Sequence, residues 1–422
     1  MEKESQTYQA YVKILKEELK PAMGCTEPIA LAYAASLSRK TLGEMPERVV
    51  MEVSGSIIKN VKSVIVPHTG HLKGLKAACA AGLVAGDPDA KLECIAHVNE
   101  EEIEDMHHAL EDIDFKVKFL EDGHVFDLIV TAYKGEHYAK VRLTDFHTNI
   151  VLIEKDGQIL FQRELQAEEE SDHSCLNMED IWDFVQTVDL NDIQDVLERQ
   201  INDNTAIAKE GLAHDYGANI GKVIMASDPD CVAVRAKAMA AAGSDARMNG
   251  CELPVVINSG SGNQGITCSL PVIEYAKEKN VSHETLLRGL ALSNLVAIHE
   301  KTGIGTLSAY CGAVSAGAGA GAGIAYVCGG SYKDVTHTIV NTLAIVSGMI
   351  CDGAKASCAA KIASSVDAAI LGLQMYRHGQ QFKGGDGIVV KGIENTIRNV
   401  GRLGREGMKE TNKEIIDMMI GA

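Results

Sequence analysis

The sequence predicts an α+β protein: a helical domain rich in buried Gly/Ala helices, with an α+β lobe inserted after a pair of N-terminal helices. Three observations predict it. Short β-branched or alternating runs are confined to residues 46–165. Helical spacing dominates from about residue 204 to the end, broken by Gly-rich loops. Residues 302–332 carry no Asp, Glu, Lys or Arg and are mostly Gly, Ala and Ser. Such small side chains add little transfer energy, so a helix buried among close neighbours is expected there, not a bilayer span.

Taken in order, Tyr8, Tyr11, Val12, Ile14, Leu15 and Leu19 fall at helical spacing. PAMGCTEP leads into a second helix, IALAYAASLSRKTLG, with Pro28 in its first turn, where no donor is needed, and Gly43 at its close. Residues 1–45 are expected to pack on the C-terminal helical domain. The lobe at 46–165 contains RVVMEVSGSI, KSVIVP, KLECIAHV, FKVKFLE, FDLIVTAYK and EHYAKVRLT as strands. HLKGLKAACAAGLVAG and NEEEIEDMHHALED are its helices, the second opened by Asn99 and a run of acids. Asp156-Gly157 marks a hairpin turn. Residues 166–205 are an acidic connector with surface helices. Residues 206–422 form the main helical domain, with PVVINSG its one β-like run and GREGMKETNKEIIDMMI an amphipathic closing helix.

Composition narrows the function. The chain has 422 residues, 46% of them hydrophobic, enough to bury a sizeable core. Its net charge of −18, from 58 acids against 40 bases with no basic run, argues against nucleic acid and anionic membrane surfaces as partners. Eleven scattered cysteines do not read as a disulfide framework, and the N-terminus has no apolar signal core. A reducing cytoplasm is the expected setting.

Several residues could carry chemistry. Cys311, Cys351 and Cys358 each have Gly or Ala close by, which leaves room for an inorganic group. Three thiolates can hold three irons of a [4Fe–4S] cube and leave the fourth open as a Lewis acid. Their spacing matches no common ferredoxin pattern, and small buried hydrophobes are the alternative reading. Cys25, in GCTEP just before a helix, is placed where N–H groups and the helix dipole favour a thiolate, although a packing role in a cap loop fits too. The segment Asn258-Ser259-Gly260-Ser261-Gly262-Asn263-Gln264-Gly265 follows an apolar run and leads into a helix, so its amides could hold a phosphate or carboxylate, or make a tight turn only. It is neither a P-loop nor a dinucleotide fingerprint. Asp145-Phe146-His147-Thr148-Asn149 offers a His after a strand. His214, Lys301 and the turn at 384–387 are weaker cases, and His107-His108 reads as a solvated pair.

Together, GCTEP, NSGSGNQG, SAYCGA running into AGAGAG, and ICDGAKASC resemble the iron–sulfur L-serine dehydratase alpha-chain family, closest to its L-cysteine desulfidase-like branch. The resemblance spans nearly the whole chain. It implies a [4Fe–4S] cluster on Cys311, Cys351 and Cys358 in a helical catalytic domain, and a base at Cys25. The serine dehydratases proper have a longer gap between the last two cluster cysteines and a Ser-rich His motif where this chain has GCTEP. Some end in a Cys that caps the open iron, whereas this chain ends Ile420-Gly421-Ala422.

The reaction so implied is β-elimination from a small L-amino acid, L-cysteine first and L-serine as the alternative, giving pyruvate and ammonia. Thr26, Glu27, His147, Asn149, Ser259, Gly260, Ser261, Gly262, Asn263 and Gln264 are the expected substrate contacts. A homo-oligomer, a dimer, is expected. Pyridoxal phosphate ranks below the cluster, because no Lys stands in a Schiff-base context. The competing classes are a metal-free cysteine enzyme and a non-catalytic iron–sulfur redox protein.

Overall fold

The computed structural model describes residues 1–23, 26–121, 124–145, 147–163, 172–305 and 308–421. Contacts divide the chain into two units. The helical unit comprises residues 1–23, 170–351 and 356–411; the α+β unit comprises 24–169, 352–355 and 412–422. The first break thus falls at 23/24, not at the expected 45/46.

Helix α1 (Gln6–Glu18) is capped by Ser5, whose side chain accepts the Tyr8 N–H, and buries Tyr8, Tyr11, Ile14 and Leu15 as the spacing predicts. A short strand, β1 (Pro21–Met23), completes the N-terminal share of the helical unit.

The α+β unit begins with α2 (Thr26–Leu42), β2 (Arg48–Val53), α3 (Gly55–Val61), α4 (Gly74–Ala85) and α5 (Glu100–Asp112). Then come β3 (Asp114–Phe119), β4 (Asp127–Lys134), β5 (His137–Thr144), β6 (Ile150–Lys155) and β7 (Gln158–Gln162). Among the described residues the six strands form one sheet in the order β3-β2-β4-β5-β6-β7. Only β2 and β3 run parallel, joined by the long crossover through α3–α5. Asn99 makes a full capping box with Glu102 at the head of α5. Asp156 (φ 50°) and Gly157 (φ 81°) turn β6 into β7, the left-handed pair that a two-residue hairpin needs.

Two segments read as strands take other forms. KLECIAHV enters a 3-10 turn over Pro88–Glu93, whose Asp87 cap accepts the Asp89 N–H. KSVIVP contributes only the bridge Ile65–Lys73. The break at 23/24 also has a local cause. Helix α2 is buried along Ala30, Leu31, Ala32, Tyr33, Ala34 and Ala35, and Gly82 of α4 lies so close that an added Cβ would strike the Ala32 carbonyl oxygen. Gly82→Ala is therefore expected to destabilise this unit by about 1–3 kcal/mol or more, read as a lower urea midpoint. An unchanged midpoint would show the helices free to separate.

The chain returns to the helical unit with α6 (Met178–Thr187), α7 (Gln194–Ala213), α8 (Ile220–Met225) and α9 (Val232–Met248). Strand β8 (Pro254–Val256) pairs antiparallel with β1. Helices α10 (Gly262–Glu278), α11 (His283–Ile304), α12 (Gly312–Val327), α13 (Tyr332–Val346), α14 (Cys358–Arg377) and α15 (Ile393–Arg402) follow, and α16 (Lys409–Ile420) ends the described chain. Helix α12 is the small-residue segment, buried along nearly its whole length as expected. No helix among the described residues is long and apolar enough to cross a membrane. None of the described cysteines is in a disulfide.

Candidate functional site

In the helical unit the geometry is set by how closely α12 lets its neighbours approach. Gly317 abuts Ser365 of α14, and Gly321, one turn on, abuts Ala369, also one turn on. The two helices therefore run parallel and start at the same end. Cys311 is the N-cap of α12 and Cys358 the first residue of α14, so the same register brings these two cysteines level. Cys351 joins them through the backbone. Tyr310 bridges Ile350, the Cys311 N–H donates to Met349 O (3.0 Å), and the Cys351 N–H donates to Ala309 O (2.6 Å).

Cys311 feels the other two thiols. Burial pushes the Cys311 thiol up to about 12, and the nearby Cys351 and Cys358 push it the same way, while the Ala313 N–H and the Lys361 ammonium oppose them. Lys361 lies one turn after Cys358 and donates to Ile350 O (2.8 Å). The N-termini of α12 and α14 and the Lys361 ammonium thus lie close to Cys311. Among the described residues no three His, Cys, Asp or Glu side chains gather as ligands for a single metal ion. A cube makes a different demand, since each thiolate binds its own iron. Mutually close thiols with small neighbours fit that demand.

The NSGSGNQG segment is a tight loop in the same unit. Asn258 and Ser261 exchange backbone hydrogen bonds (3.1 and 3.0 Å) around Ser259 (φ 48°) and Gly260 (φ 71°). The buried Asn258 amide donates to Asn294 Oδ1 (2.9 Å), and Ser261 caps α10. The Glu18 carboxyl lies beside the Ser259 backbone; burial pushes its pKa up, and the nearby His173 and the Ser259 N–H oppose that shift. His173 Nε2 lies 3.5 Å from that carboxyl. The Arg247 guanidinium lies against Gly262, with Nη1 3.5 Å from Asn263 Oδ1. Gln264 reaches the start of α12, where a Cβ on Gly312 would come within 2.7 Å of its Cδ. Two motifs of the sequence reading, this loop and the cysteine segment, therefore meet.

Helix α9, which carries Arg247, also supports α14, since Ala241 packs on Ala359 and Ala363 beside Ile220 and Ile224. On α9 the fully buried Asp245 accepts the Gly221 N–H (2.8 Å) at the head of α8. Burial pushes its carboxyl up to about 6. The folded value lies above the unfolded one, so its contribution is full below about pH 4 and lost as pH rises through 6. Asp245→Asn should flatten the fall in stability between pH 4 and 7, a matter of about 2–3 kcal/mol. Denaturant midpoints at both pH values check it; an unchanged slope would assign the pH dependence elsewhere.

In the α+β unit, GCTEP and the DFHTN turn meet. Thr26 Oγ1 and His147 Nε2 are 2.9 Å apart although 121 positions separate them in sequence. Glu27 Oε1 accepts from Asn60 Nδ2 (3.0 Å). The His147 ring packs on Phe126 with centroids 4.6 Å apart. Burial holds this imidazole below its usual range, and Glu27 opposes the shift. Asn149 is committed to its turn, with Nδ2 donating to Thr144 O (3.0 Å) and Oδ1 accepting from Arg163 (3.1 Å). Cys25 lies outside the described residues.

Sequence reasoning missed Lys361, Arg247, Glu18 and His173. Lys361 carried a usable signal, a cation three residues beyond Cys358 on a helix. The other three come together only through tertiary structure.

The chain is thus an α+β protein whose helical unit brings the cysteines at the parallel starts of α12 and α14 together with Cys351 from the segment between α13 and α14. The chain is a member of the serine dehydratase alpha-chain family, which it matches over residues 89–417. It is 55% identical over 423 residues to a UPF0597 protein of Desulfitobacterium hafniense (strain Y51), covering 100% of this chain and 98% of that one. A UPF0597 protein of Lachnoclostridium phytofermentans is 52% identical over 415 residues, covering 98% and 100%. One of Treponema denticola is 46% identical over 422 residues, covering 98% of each. Membership of this family points to lyase chemistry on a small amino acid.

Proposed function

We propose that this chain is an iron–sulfur-dependent lyase that eliminates the β-substituent of a small L-amino acid, L-cysteine foremost, to give pyruvate, ammonia and hydrogen sulfide. The observation that carries the reading is the trio Cys311, Cys351 and Cys358 at the parallel starts of α12 and α14. These thiolates would hold a [4Fe–4S] cube with one iron free, whose Lewis acidity makes the departing sulfur or oxygen a better leaving group.

The remaining steps fall to the chain's own groups. Cys25, as thiolate, takes the α-proton. The Cα–H electrons form the Cα–Cβ double bond while the bond from Cβ to sulfur breaks. The aminoacrylate so released isomerises to the imine, and water gives pyruvate and ammonia. Thr26 and His147, paired at 2.9 Å, orient the substrate near this base. Amides of the NSGSGNQG loop and the Arg247 guanidinium bind its carboxylate. The Arg247 guanidinium beside Gly262 and Asn263 supports an anion-binding role for the loop.

L-serine is the second reading, and the description of the matched family favours it. Anaerobic reconstitution with iron and sulfide, followed by pyruvate release from each amino acid, tests both. Pyruvate from either substrate, absent before reconstitution, supports the lyase; the larger kcat/KM assigns the substrate. Full activity in iron-free protein overturns the cluster, and a loaded protein that turns over neither amino acid overturns the lyase.

A further inference from the structure

The seam where α10, α11 and α12 meet is built in layers. One layer packs Cys268, Ala297 and Ala316 together, with the Ser293 hydroxyl donating to the Cys268 carbonyl (2.7 Å). The next layer lies toward the start of α12. There Gln264 precedes Cys268, Glu300 follows Ala297, and Gly312 and Ser315 precede Ala316. Three contacts tie this layer together. The Gln264 amide lies against Gly312. The Glu300 carboxyl acts electrostatically on both the Cys268 thiol and the Tyr310 hydroxyl. Ser315 lies on the side of α12 that faces α11, because Gly319, one turn further, abuts the Ser293 carbonyl.

This layer is polar, sealed and unsatisfied. Gln264, Glu300 and Ser315 are 5%, 1% and 0% exposed. Among the described residues, Gln264 Oε1, both Glu300 carboxyl oxygens and Ser315 Oγ have no hydrogen-bond partner. Buried polar atoms are rarely left so, and a cluster of them on three different helices calls for an occupant. All four atoms can accept. Burial is the one influence acting on the Glu300 carboxyl, with no cationic side chain opposing it. An oxygen-only set with one carboxylate suits a hard ion of single charge, since divalent ions gather more carboxylates or keep several waters.

We propose that this layer binds a monovalent alkali cation through the Glu300 carboxylate, Gln264 Oε1 and Ser315 Oγ. The site is independent of the lyase reading and needs no iron. Its role is to fix the first turn of α12, and with it Cys311. Binding must displace the Glu300 proton, so affinity rises with pH. The other titratable groups facing the layer, Cys268 from α10 and Tyr310 from the segment before α12, are both held protonated by burial and do not compete.

The test uses iron-free, full-length protein at constant ionic strength, with melting followed in potassium, sodium and tetramethylammonium chlorides. Potassium or sodium should raise the melting temperature by about 2–4 °C over tetramethylammonium. Adding the same salt to weakly buffered protein should release protons. Glu300→Gln, which keeps the shape and removes the charge, should lose both responses. Identical melting in all three salts overturns the site, as does a full response in Glu300→Gln. Should that variant fail to fold, crystals of the wild type soaked in thallium(I) decide: an anomalous peak within the layer supports the proposal, and ordered water alone there overturns it.

Discussion

Cys311→Ser, Cys351→Ser and Cys358→Ser should each emerge from anaerobic reconstitution without the roughly four irons per chain that the parent protein takes up, and without its broad visible absorption. Turnover should vanish with the iron. The expectation rests on the parallel register of α12 and α14, which leaves no other described thiol positioned to substitute. Cys268, the next cysteine inward, is sealed at 0% exposure with its thiol pushed upward by burial. Melting temperature should change little, because each side chain is only partly buried and serine nearly matches its volume. Iron content by chelation assay decides the matter. Full iron in all three variants would place the cluster elsewhere or remove it from the protein.

Cys25→Ala should do the reverse, keeping the iron and its spectrum while turnover falls by about 10²–10⁴-fold, the usual cost of losing a general base. The two sets of variants separate holding iron from moving a proton. In the parent enzyme the acidic limb of kcat/KM should report a thiol below its free value of about 8.5, as expected for a thiolate beside a helix start. Iodoacetamide should inactivate, and a substrate analogue should slow it. If Cys25→Ala turns over at the parent rate, the base lies elsewhere, and His147 is the first residue to replace. Burial lowers that imidazole's pKa and so favours its neutral, proton-accepting form, with Glu27 opposing the shift.

Local chemistry made much of the fold legible. Asn99 with Glu102, the Asp156-Gly157 turn and the chargeless Gly/Ala run each specify an element through interactions within a few residues. Where the deciding contact was distant, the reading slipped. Strand β1 exists because Pro21–Met23 meets Pro254–Val256, and nothing in three residues announces that partner. The allegiance of α2 was settled by Gly82 pressing on Ala32, a fit between two helices that each looked ordinary alone. The site follows the same rule. Residue chemistry singled out the cysteines, the Gly-rich loop and His147. That Thr26 pairs with His147, that Gln264 reaches Gly312, and that Arg247 and Glu18 frame the loop are facts of three-dimensional packing.

The α+β unit draws its last share from the far end of the chain. Ile416 lies on Gly55 and Phe119, and Met419 and Ile420 pack on the same core. During synthesis, then, a lobe begun at residue 24 stays open until residues 412–420 have left the ribosome. Everything translated in between must emerge while that early hydrophobic surface is uncovered. A stop codon only a dozen codons early would strand the chain permanently in that state, with every residue of the proposed iron site already made.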